Sequence, residues 1–368
     1  YTNFYMGVNV GSFAAPLICG FLGDTGNPQD FKWGFLASGI MTLFTVVLFE
    51  TQKNKYLFSP SGEPIGIVPD ARREKKEDKA EHISHPKMDK RTKVRNIIII
   101  TALTVALIAF FSYAFSDDWI SVGIFTACIV FPVLILLDGS LTKVERSRIF
   151  VIYIVAFFVI FFWAAYEQTG ASLTLFASEQ TDRSIFGWEM PASWFQSFNP
   201  LFVVILAYIM PGIWGFLNKR NMEPASPTKQ AIGLLLLSLG YLFICFGVKD
   251  AIPGVKVSMI WLTGLYFIHT MGEIALSPIG LSMVNKLSPL RFASLMMGIW
   301  YLSTATANKF AGMLSGLYPE DGKVKSILGY QIATMYDFFM LFVIMSGVAS
   351  LILFLLSKKL QKMMHGVE

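Results

Sequence analysis

The sequence predicts an all-α membrane protein with ten transmembrane helices. Three observations lead to this fold class: an apolar composition, the length of the apolar runs, and an uneven distribution of Lys and Arg. Of the 368 residues, 54% are hydrophobic and only 15% are charged, whereas soluble domains contain about 25% charged residues. The composition therefore favours a chain that is surrounded mostly by lipid.

Ten apolar runs are each about 20 residues long, which is the length that an α-helix needs to cross a bilayer. Helices are expected because lipid offers no hydrogen-bond partner to an unpaired backbone group. None of the runs resembles a cleaved signal peptide. The predicted spans are 4–22, 32–50, 96–115, 119–137, 149–177, 194–217, 230–248, 257–284, 292–317 and 332–357.

Basic residues are concentrated on one side of the predicted membrane. If the polar segment 51–95 is cytoplasmic, alternation of the spans puts 23 of the 30 Lys and Arg residues on that side and six on the other. This is the positive-inside pattern, which orients a membrane protein. It predicts a cytoplasmic C-terminus, and it accounts for the net charge of +5 without a nucleic-acid partner.

The chain divides into four predicted parts. Residues 1–50 form a helical hairpin, 51–95 a cytoplasmic linker, 96–148 an inserted transmembrane hairpin with its connector, and 149–368 a six-helix bundle with a short cytoplasmic tail. Six helices after a long linker indicate one half of a major facilitator fold, whose halves are six-helix bundles. Only two spans precede the linker and the chain begins at Tyr1, so we expect about four further helices upstream.

Two carboxylates lie at membrane depth. Glu167 is in the span 149–177, and Glu273 is in the span 257–284. An acid in hydrocarbon costs at least a few kcal/mol, so such a residue usually faces a bundle interior or a wet cavity and marks an ion or substrate path. The two acids therefore predict coupled transport.

The residues around Glu273 extend this prediction. Steps of four place His269, Glu273 and Ser277 on one helical face. Pro278 can kink the helix, and kinked helices expose polar backbone to the cavity of a transporter. His269 is either a proton relay or a hydrogen-bonded packing residue. A membrane-embedded enzyme is disfavoured, because a helix puts Ser277 about 12 Å from His269, too far for a nucleophile–base contact.

Four stretches of the chain combine polar residues with Gly or aromatic residues inside or beside the predicted spans: YTNFYMGVNVGSF (1–13), FFWAAYEQTGASL (161–173), WFQSFNPLFV (194–203) and GEIALSPIGLSMV (272–284). They resemble signature segments of the proton-dependent oligopeptide transporter (POT) family, a branch of the major facilitators. They occur in the order and at the spacing of the family's fifth, seventh, eighth and tenth helices, and the inserted hairpin is similar to one in bacterial members.

This resemblance implies a proton-coupled symporter that imports di- and tripeptides by alternating access across the bacterial inner membrane. The proton gradient supplies the energy, so no cofactor or metal is expected, and the protein is expected to be monomeric. A related symporter for another small solute, such as nitrate or a peptide-like metabolite, is the alternative. The family's first-helix Glu-x-x-Glu-Arg motif and fourth-helix Lys have no counterpart in residues 1–368, so we expect this stretch alone to insert without transporting.

The resemblance also implies roles for particular residues. Glu273 binds the amino terminus of the peptide and takes part in gating and proton coupling, and Glu167 takes part in proton coupling. Asn9 and Asn199 contact the peptide backbone and amino terminus, which suits side chains that both donate and accept hydrogen bonds. For Asn199, capping of the helix start before Pro200 remains an alternative.

Other candidates have weaker support. Trp163 offers an aromatic wall one turn before Glu167, and Ser277 follows Glu273 on the same face. The family places Trp300 on the cavity wall, although an aromatic residue at the membrane interface is the rival interpretation. Glu179 resembles the outer-gate acid of the family or is a solvated rim acid. Lys309 has no assigned role and is expected to snorkel.

Overall fold

In the computed structural model the chain is described over residues 2–57, 89–115, 118–249, 255–320 and 323–366. All ten predicted spans coincide with helical segments. Eight of these segments are long and apolar enough to cross a membrane, and the other two are helices of 22 and 23 residues. The predicted all-α membrane fold is therefore confirmed.

The α-helices are long, and the strands are short pieces between them. The helices are α1 (Thr2–Gly23), α2 (Phe31–Tyr56), α3 (Lys90–Phe115), α4 (Trp119–Leu136), α5 (Lys143–Tyr166), α6 (Ser172–Glu179), α7 (Phe198–Lys219), α8 (Ser226–Val248), α9 (Met259–Leu287), α10 (Ala293–Ser315) and α11 (Met335–Met363). The strands are β1 (Thr181–Asp182), β2 (Ser184–Ile185), β3 (Trp188–Glu189), β4 (Val257–Ser258), β5 (Lys325–Ile327) and β6 (Tyr330–Ile332).

Two helices extend into the predicted linker 51–95. α2 continues to Tyr56 and α3 begins at Lys90, because a helix does not have to end where its apolar residues end. In α2 an ion pair one turn apart, between Lys53 and Glu50 at 2.6 Å, supports the polar extension. The middle of the predicted linker, 58–88, lies outside the described residues.

Contacts divide the chain into two compact units, residues 1–16 with 88–368 and residues 17–87. In the smaller unit α2 approaches the end of α1 so closely that a Cβ on Gly34 would lie 2.9 Å from the Cys19 carbonyl oxygen. The Cys19 Sγ and Ser38 Oγ atoms are 3.1 Å apart on the same contact. The four-part division of the sequence stays a prediction.

The core of the larger unit depends on an intimate contact between α8 and α9. A Cβ on Gly272 would lie 2.8 Å from the Gly233 carbonyl oxygen, and a Cβ on Gly233 would lie 2.9 Å from the Gly272 carbonyl oxygen. Small residues allow helix backbones to approach in this way. On the other side of α8, Tyr241 stacks on Phe342 of α11 with 4.8 Å between the ring centroids. These contacts fix the position of α9, which carries Glu273.

The inserted hairpin α3–α4 is joined to the bundle by polar contacts. Lys309 of α10 lies with its Nζ 2.6 Å from the Asp118 Oδ2 atom. Asp118 also caps α4, because its carboxylate accepts hydrogen bonds from the Ser121 amide and hydroxyl. The bond from Lys309 holds the pKa of Asp118 at about 2. Lys309, which the sequence left without a role, therefore connects α10 to the hairpin.

Three pairs of short strands lie between the helices. β1 pairs with β4 in parallel, whereas β2–β3 and β5–β6 form antiparallel hairpins. Each hairpin turns on two residues with positive φ, Phe186 and Gly187 in the first and Leu328 and Gly329 in the second.

We expect Gly272→Ala to lower the thermal stability of the protein, because its new methyl group meets the Gly233 carbonyl rather than a movable side chain. Overpacking of this kind costs about 1–3 kcal/mol. The measurement is a thermal melt of purified protein in detergent. Gly298→Ala in α10 is the matched control, since no atom lies within 4 Å of a Cβ at that position. Equal melting temperatures for the two variants would contradict the close contact.

Candidate functional site

The site is built on an interruption in a membrane span. α5 ends at Tyr166, a 3₁₀ turn covers Glu167–Gly170, and α6 resumes at Ser172. Ala171 separates the turn from α6 with φ −129° and ψ −102°. The sequence predicted one unbroken helix over 149–177. The helix breaks because side chains take over the hydrogen bonds of the backbone.

Gln168 supplies most of these bonds. Its side chain is fully buried, and its Nε2 donates to the Ala164 and Ala311 carbonyls at 3.1 and 3.0 Å. Its Oε1 accepts from the Ser172 hydroxyl at 2.6 Å. The Tyr241 hydroxyl donates to the Ala165 carbonyl at 2.6 Å. A helix end leaves several carbonyls without their usual amide partner. Gln168 serves the one at Ala164, and the Tyr241 hydroxyl adds a bond to the Ala165 carbonyl, which also accepts from the Glu167 amide.

A polar cluster forms where the break faces α7 and α9. The Glu273 Oε2 atom accepts a hydrogen bond from the Tyr166 hydroxyl at 2.5 Å and another from the Asn199 Nδ2 at 2.8 Å. The same Nδ2 contacts the Thr270 hydroxyl at 3.1 Å and the Tyr166 hydroxyl oxygen. Three side chains from α5, α7 and α9, those of Tyr166, Asn199 and Thr270, thus form one hydrogen-bonded cluster with the Glu273 carboxylate.

The charge at this cluster has no cationic partner among the described residues. Neither Glu273 nor Glu167 forms an ion pair with a Lys or Arg in the described part of the chain. Glu273 receives its hydrogen bonds on Oε2 from neutral donors. Such donors stabilise a carboxylate but leave its charge uncompensated, so a ligand cation is attracted to it.

Glu167 occupies the first position of the 3₁₀ turn, directly after Tyr166. Its side chain is half-buried, and it adjoins Tyr166, whose hydroxyl binds Glu273. The structure therefore brings Asn199 onto Glu273 and places Glu167 one residue from this cluster.

A cavity of about 190 Å³ opens beside the cluster. Tyr166 and Asn199 belong to its wall, as does Tyr266, whose buried hydroxyl has no hydrogen-bond partner in the described part of the chain. A buried polar group without a partner costs free energy, so its hydroxyl is open to a ligand or a water molecule. The remaining wall residues are Ser12, Pro16, Thr169, Gln196 and Pro200.

The structure places the other predicted binding residues on α1, α5, α9 and α10. Asn9 is buried in α1 and Ser277 is half-buried in α9, four residues after Glu273. Trp163 lies edge-to-face against Tyr166, with 5.3 Å between the ring centroids. Trp300 is 5% exposed and its ring lies directly over Gly280. No contact with a substrate tests these four residues, and their binding roles stay predictions.

Glu179 and His269 have clear surroundings. Glu179 is exposed at the end of α6, where its Oε2 accepts a hydrogen bond from the Tyr318 hydroxyl at 3.2 Å. This carboxylate raises the pKa of Tyr318, in addition to the larger effect of burial. His269 is buried, with its Nε2 3.2 Å from the Leu237 carbonyl oxygen and its ring 4.7 Å from that of Tyr241. These contacts match the packing interpretation of His269.

Sequence reasoning missed three polar residues of the site: Tyr166, Thr270 and Tyr266. A signal for two of them was present. Thr270 lies three residues before Glu273, and Tyr266 lies seven residues before Glu273. These are the spacings of residues on one helical face. Tyr166 gave no such signal, because it lies on a different helix from Glu273. Its hydroxyl reaches Glu273 at the point where α5 ends.

The sequence profile of PTR2, the POT family, matches residues 1–327. The peptide transporter YePEPT of Yersinia enterocolitica is 30% identical over 326 residues, which cover 86% of this chain and 60% of that protein. The uncharacterized transporter YclF of Bacillus subtilis is 31% identical over 374 residues, covering all of this chain and 68% of YclF.

Solved structures show the same similarity. A mutant of peptide transporter POT in complex with alafosfalin superimposes with a TM-score of 0.72 at 28% identity, covering 99% of this chain and 67% of that chain. A POT family transporter in complex with 5-aminolevulinic acid gives a TM-score of 0.69 at 26% identity, covering 97% of this chain and 68% of the other.

Proposed function

Because this chain belongs to the POT family, we propose that it acts in a proton-coupled symporter that imports di- and tripeptides by alternating access. The protein is a multi-span transporter rather than an enzyme, it resides in the bacterial inner membrane, and its C-terminus and the linker 51–95 are cytoplasmic. It functions as a monomer that needs no cofactor besides the proton gradient. The chain spans 60% of the length of YePEPT.

The observation that carries this proposal is the environment of Glu273. Its Oε2 is held by Tyr166 and Asn199, and no hydrogen bond to its Oε1 occurs within the described residues. An oriented carboxylate without a countercharge is suited to an ammonium group, which is the one cation that every unblocked peptide carries. The Asn199 amide and the Tyr266 hydroxyl then serve the polar backbone of the peptide.

Glu167 is the proposed proton carrier. It follows Tyr166, whose hydroxyl binds Glu273, at the break between α5 and α6. When the two carboxyl groups hold a single proton, a proton on Glu167 leaves Glu273 ionised and able to bind an ammonium group. The pair then carries a proton and a substrate together, as symport requires.

Transport of another small solute remains the alternative. The structural relative with 5-aminolevulinic acid holds a ligand with an amino group and a carboxylate but no peptide chain. An anion such as nitrate lacks the ammonium group that the Glu273 environment suits. Competition between solutes separates these possibilities.

We expect the full-length protein in proteoliposomes to accumulate a labelled dipeptide when the outside is acidic, with little discrimination between side chains. The test compares uptake with an inward proton gradient, without a gradient, and with a protonophore. Unlabelled tripeptide, nitrate and 5-aminolevulinic acid serve as competitors. Uptake that ignores the gradient, or competition by nitrate but not by tripeptide, would refute the proposal.

Glu273→Gln is expected to weaken dipeptide binding by about 150- to 4,000-fold while the protein still folds. The variant keeps the shape of the side chain and removes the charge, and a buried ammonium that loses its partner costs about 3–5 kcal/mol. Binding is measured by calorimetry on purified protein. Glu320→Gln, in an exposed loop, is the matched control and should bind normally. A Glu273→Gln affinity within threefold of the natural protein would remove this residue from the binding site.

Glu167→Gln is expected to separate coupling from binding. Gradient-driven uptake should fall at least tenfold, whereas exchange of labelled for unlabelled dipeptide at equal pH should change less than threefold, because the neutral amide mimics the protonated acid. Both rates are measured in the same proteoliposomes. An equal loss in the two assays would mean that Glu167 holds the peptide or the fold rather than the coupled proton.

A further inference from the structure

The two β-hairpins of the larger unit have matching sequences. The first is Ser-Ile-Phe-Gly-Trp-Glu (184–189) and the second is Ser-Ile-Leu-Gly-Tyr-Gln (326–331). In each hairpin the pair next to the turn joins an Ile to an aromatic residue, Ile185 to Trp188 and Ile327 to Tyr330. The same local structure thus occurs twice with the same apolar pattern.

Both turns carry an unsuitable residue at their first central position. Phe186 and Leu328 have φ of 49° and 48°, and each is followed by a glycine with positive φ. This pattern is a type I′ turn, in which Asn or Asp normally precedes the glycine. A bulky side chain is strained in the left-handed region, so the backbone gains nothing from Phe or Leu at these positions.

The strained side chains are also fully exposed. The relative exposures of Phe186 and Leu328 are 106% and 104%, so neither residue contributes to the core. Such a residue is unfavourable in water for two reasons: its backbone is strained, and its apolar side chain is exposed. Contact with an apolar medium outside the chain removes the cost of exposing the side chain.

Both tips lie near the membrane boundary on the same side. Phe186 is seven residues beyond Glu179, where α6 ends, and Leu328 is seven residues before Met335, where α11 begins. Four spans, α7 to α10, separate the hairpins, and an even number returns the chain to the same face. The short connections keep both tips close to the headgroup region.

The polarity of each hairpin changes from base to tip. At the base of the first, Arg183 contacts Glu189 at 2.8 Å. Beside the second, Lys323 and Lys325 contact Glu320 at 2.7 and 2.9 Å, and these bonds hold the pKa of Glu320 at about 2. Charged residues in ion pairs, then an aromatic residue, then an apolar tip is the order expected of a segment that enters a bilayer interface.

We propose that Phe186 and Leu328 insert into the boundary between headgroups and acyl chains of the adjacent leaflet. The hairpins are then two anchors on one face of the protein, one after the broken span α5–α6 and one before α11. The partner is the lipid itself, and the contact made by the two tips is apolar.

The first test places an environment-sensitive fluorophore at each tip. Phe186→Cys and Leu328→Cys are labelled with NBD in the full-length protein, with every natural cysteine replaced by alanine, in nanodiscs of phosphatidylethanolamine and phosphatidylglycerol. Gln331→Cys, an exposed position on the second hairpin, is the control. Insertion predicts blue-shifted emission at both tips and at least twofold stronger quenching by shallow doxyl lipid than at the control. Emission and iodide quenching equal to the control would overturn the proposal, as would protection from both quenchers, which indicates a protein partner.

The second test keeps the natural cysteines. Leu328→Asn provides the residue that the turn prefers, so a hairpin in water should resist trypsin at Lys323 and Lys325 equally well or better. If the Leu328 side chain anchors the tip in lipid, the loss of that side chain in Leu328→Asn should instead speed cleavage in nanodiscs at least threefold. Gln331→Asn is the matched control and should leave the rate unchanged. Slower or unchanged cleavage of Leu328→Asn would contradict insertion.

Discussion

The side chain of Gln168 is the contact on which the geometry of the site depends. Polar groups inside a membrane protein must find partners within the chain, and a helix that stops in mid-membrane leaves its last carbonyls without amides. Gln168 serves the Ala164 and Ala311 carbonyls and is itself satisfied by Ser172. α5 can therefore end at Tyr166, and the Tyr166 hydroxyl and the Glu167 carboxyl group are both presented at the break.

The same requirement explains how the inserted hairpin is attached. α3 is almost entirely exposed, so apolar packing against the rest of the unit contributes little to its position. Asn96 of α3 donates to the Leu137 carbonyl at the end of α4 at 2.7 Å, which holds the two helices of the hairpin together. Lys309 of α10 reaches Asp118 at the opposite end of α4, which ties the hairpin to the bundle. By contrast, α8 and α9 are held by glycine-to-backbone contact.

The spans could be predicted from the sequence because the length and polarity of a run are properties of that run alone. The proximity of Glu273 and Asn199 also followed, through the resemblance to a family. The break after Tyr166 could not be predicted, because the bond that supports it joins Gln168 to Ala311, 143 residues later. The burial of Trp300 likewise depends on Gly280 of a neighbouring helix, which no spacing within α10 reveals.

The Asn199 amide carries two hydrogens, yet three oxygens lie within its reach: Glu273 Oε2, Thr270 Oγ1 and the Tyr166 hydroxyl oxygen. At any moment one of the three oxygens therefore receives no hydrogen from the Asn199 amide. The cluster therefore has alternative hydrogen-bonding patterns that differ by the rotation of a single amide or hydroxyl. If the cluster binds substrate as proposed, a donor on that substrate serves the remaining oxygen and favours one of these bonding patterns over the others.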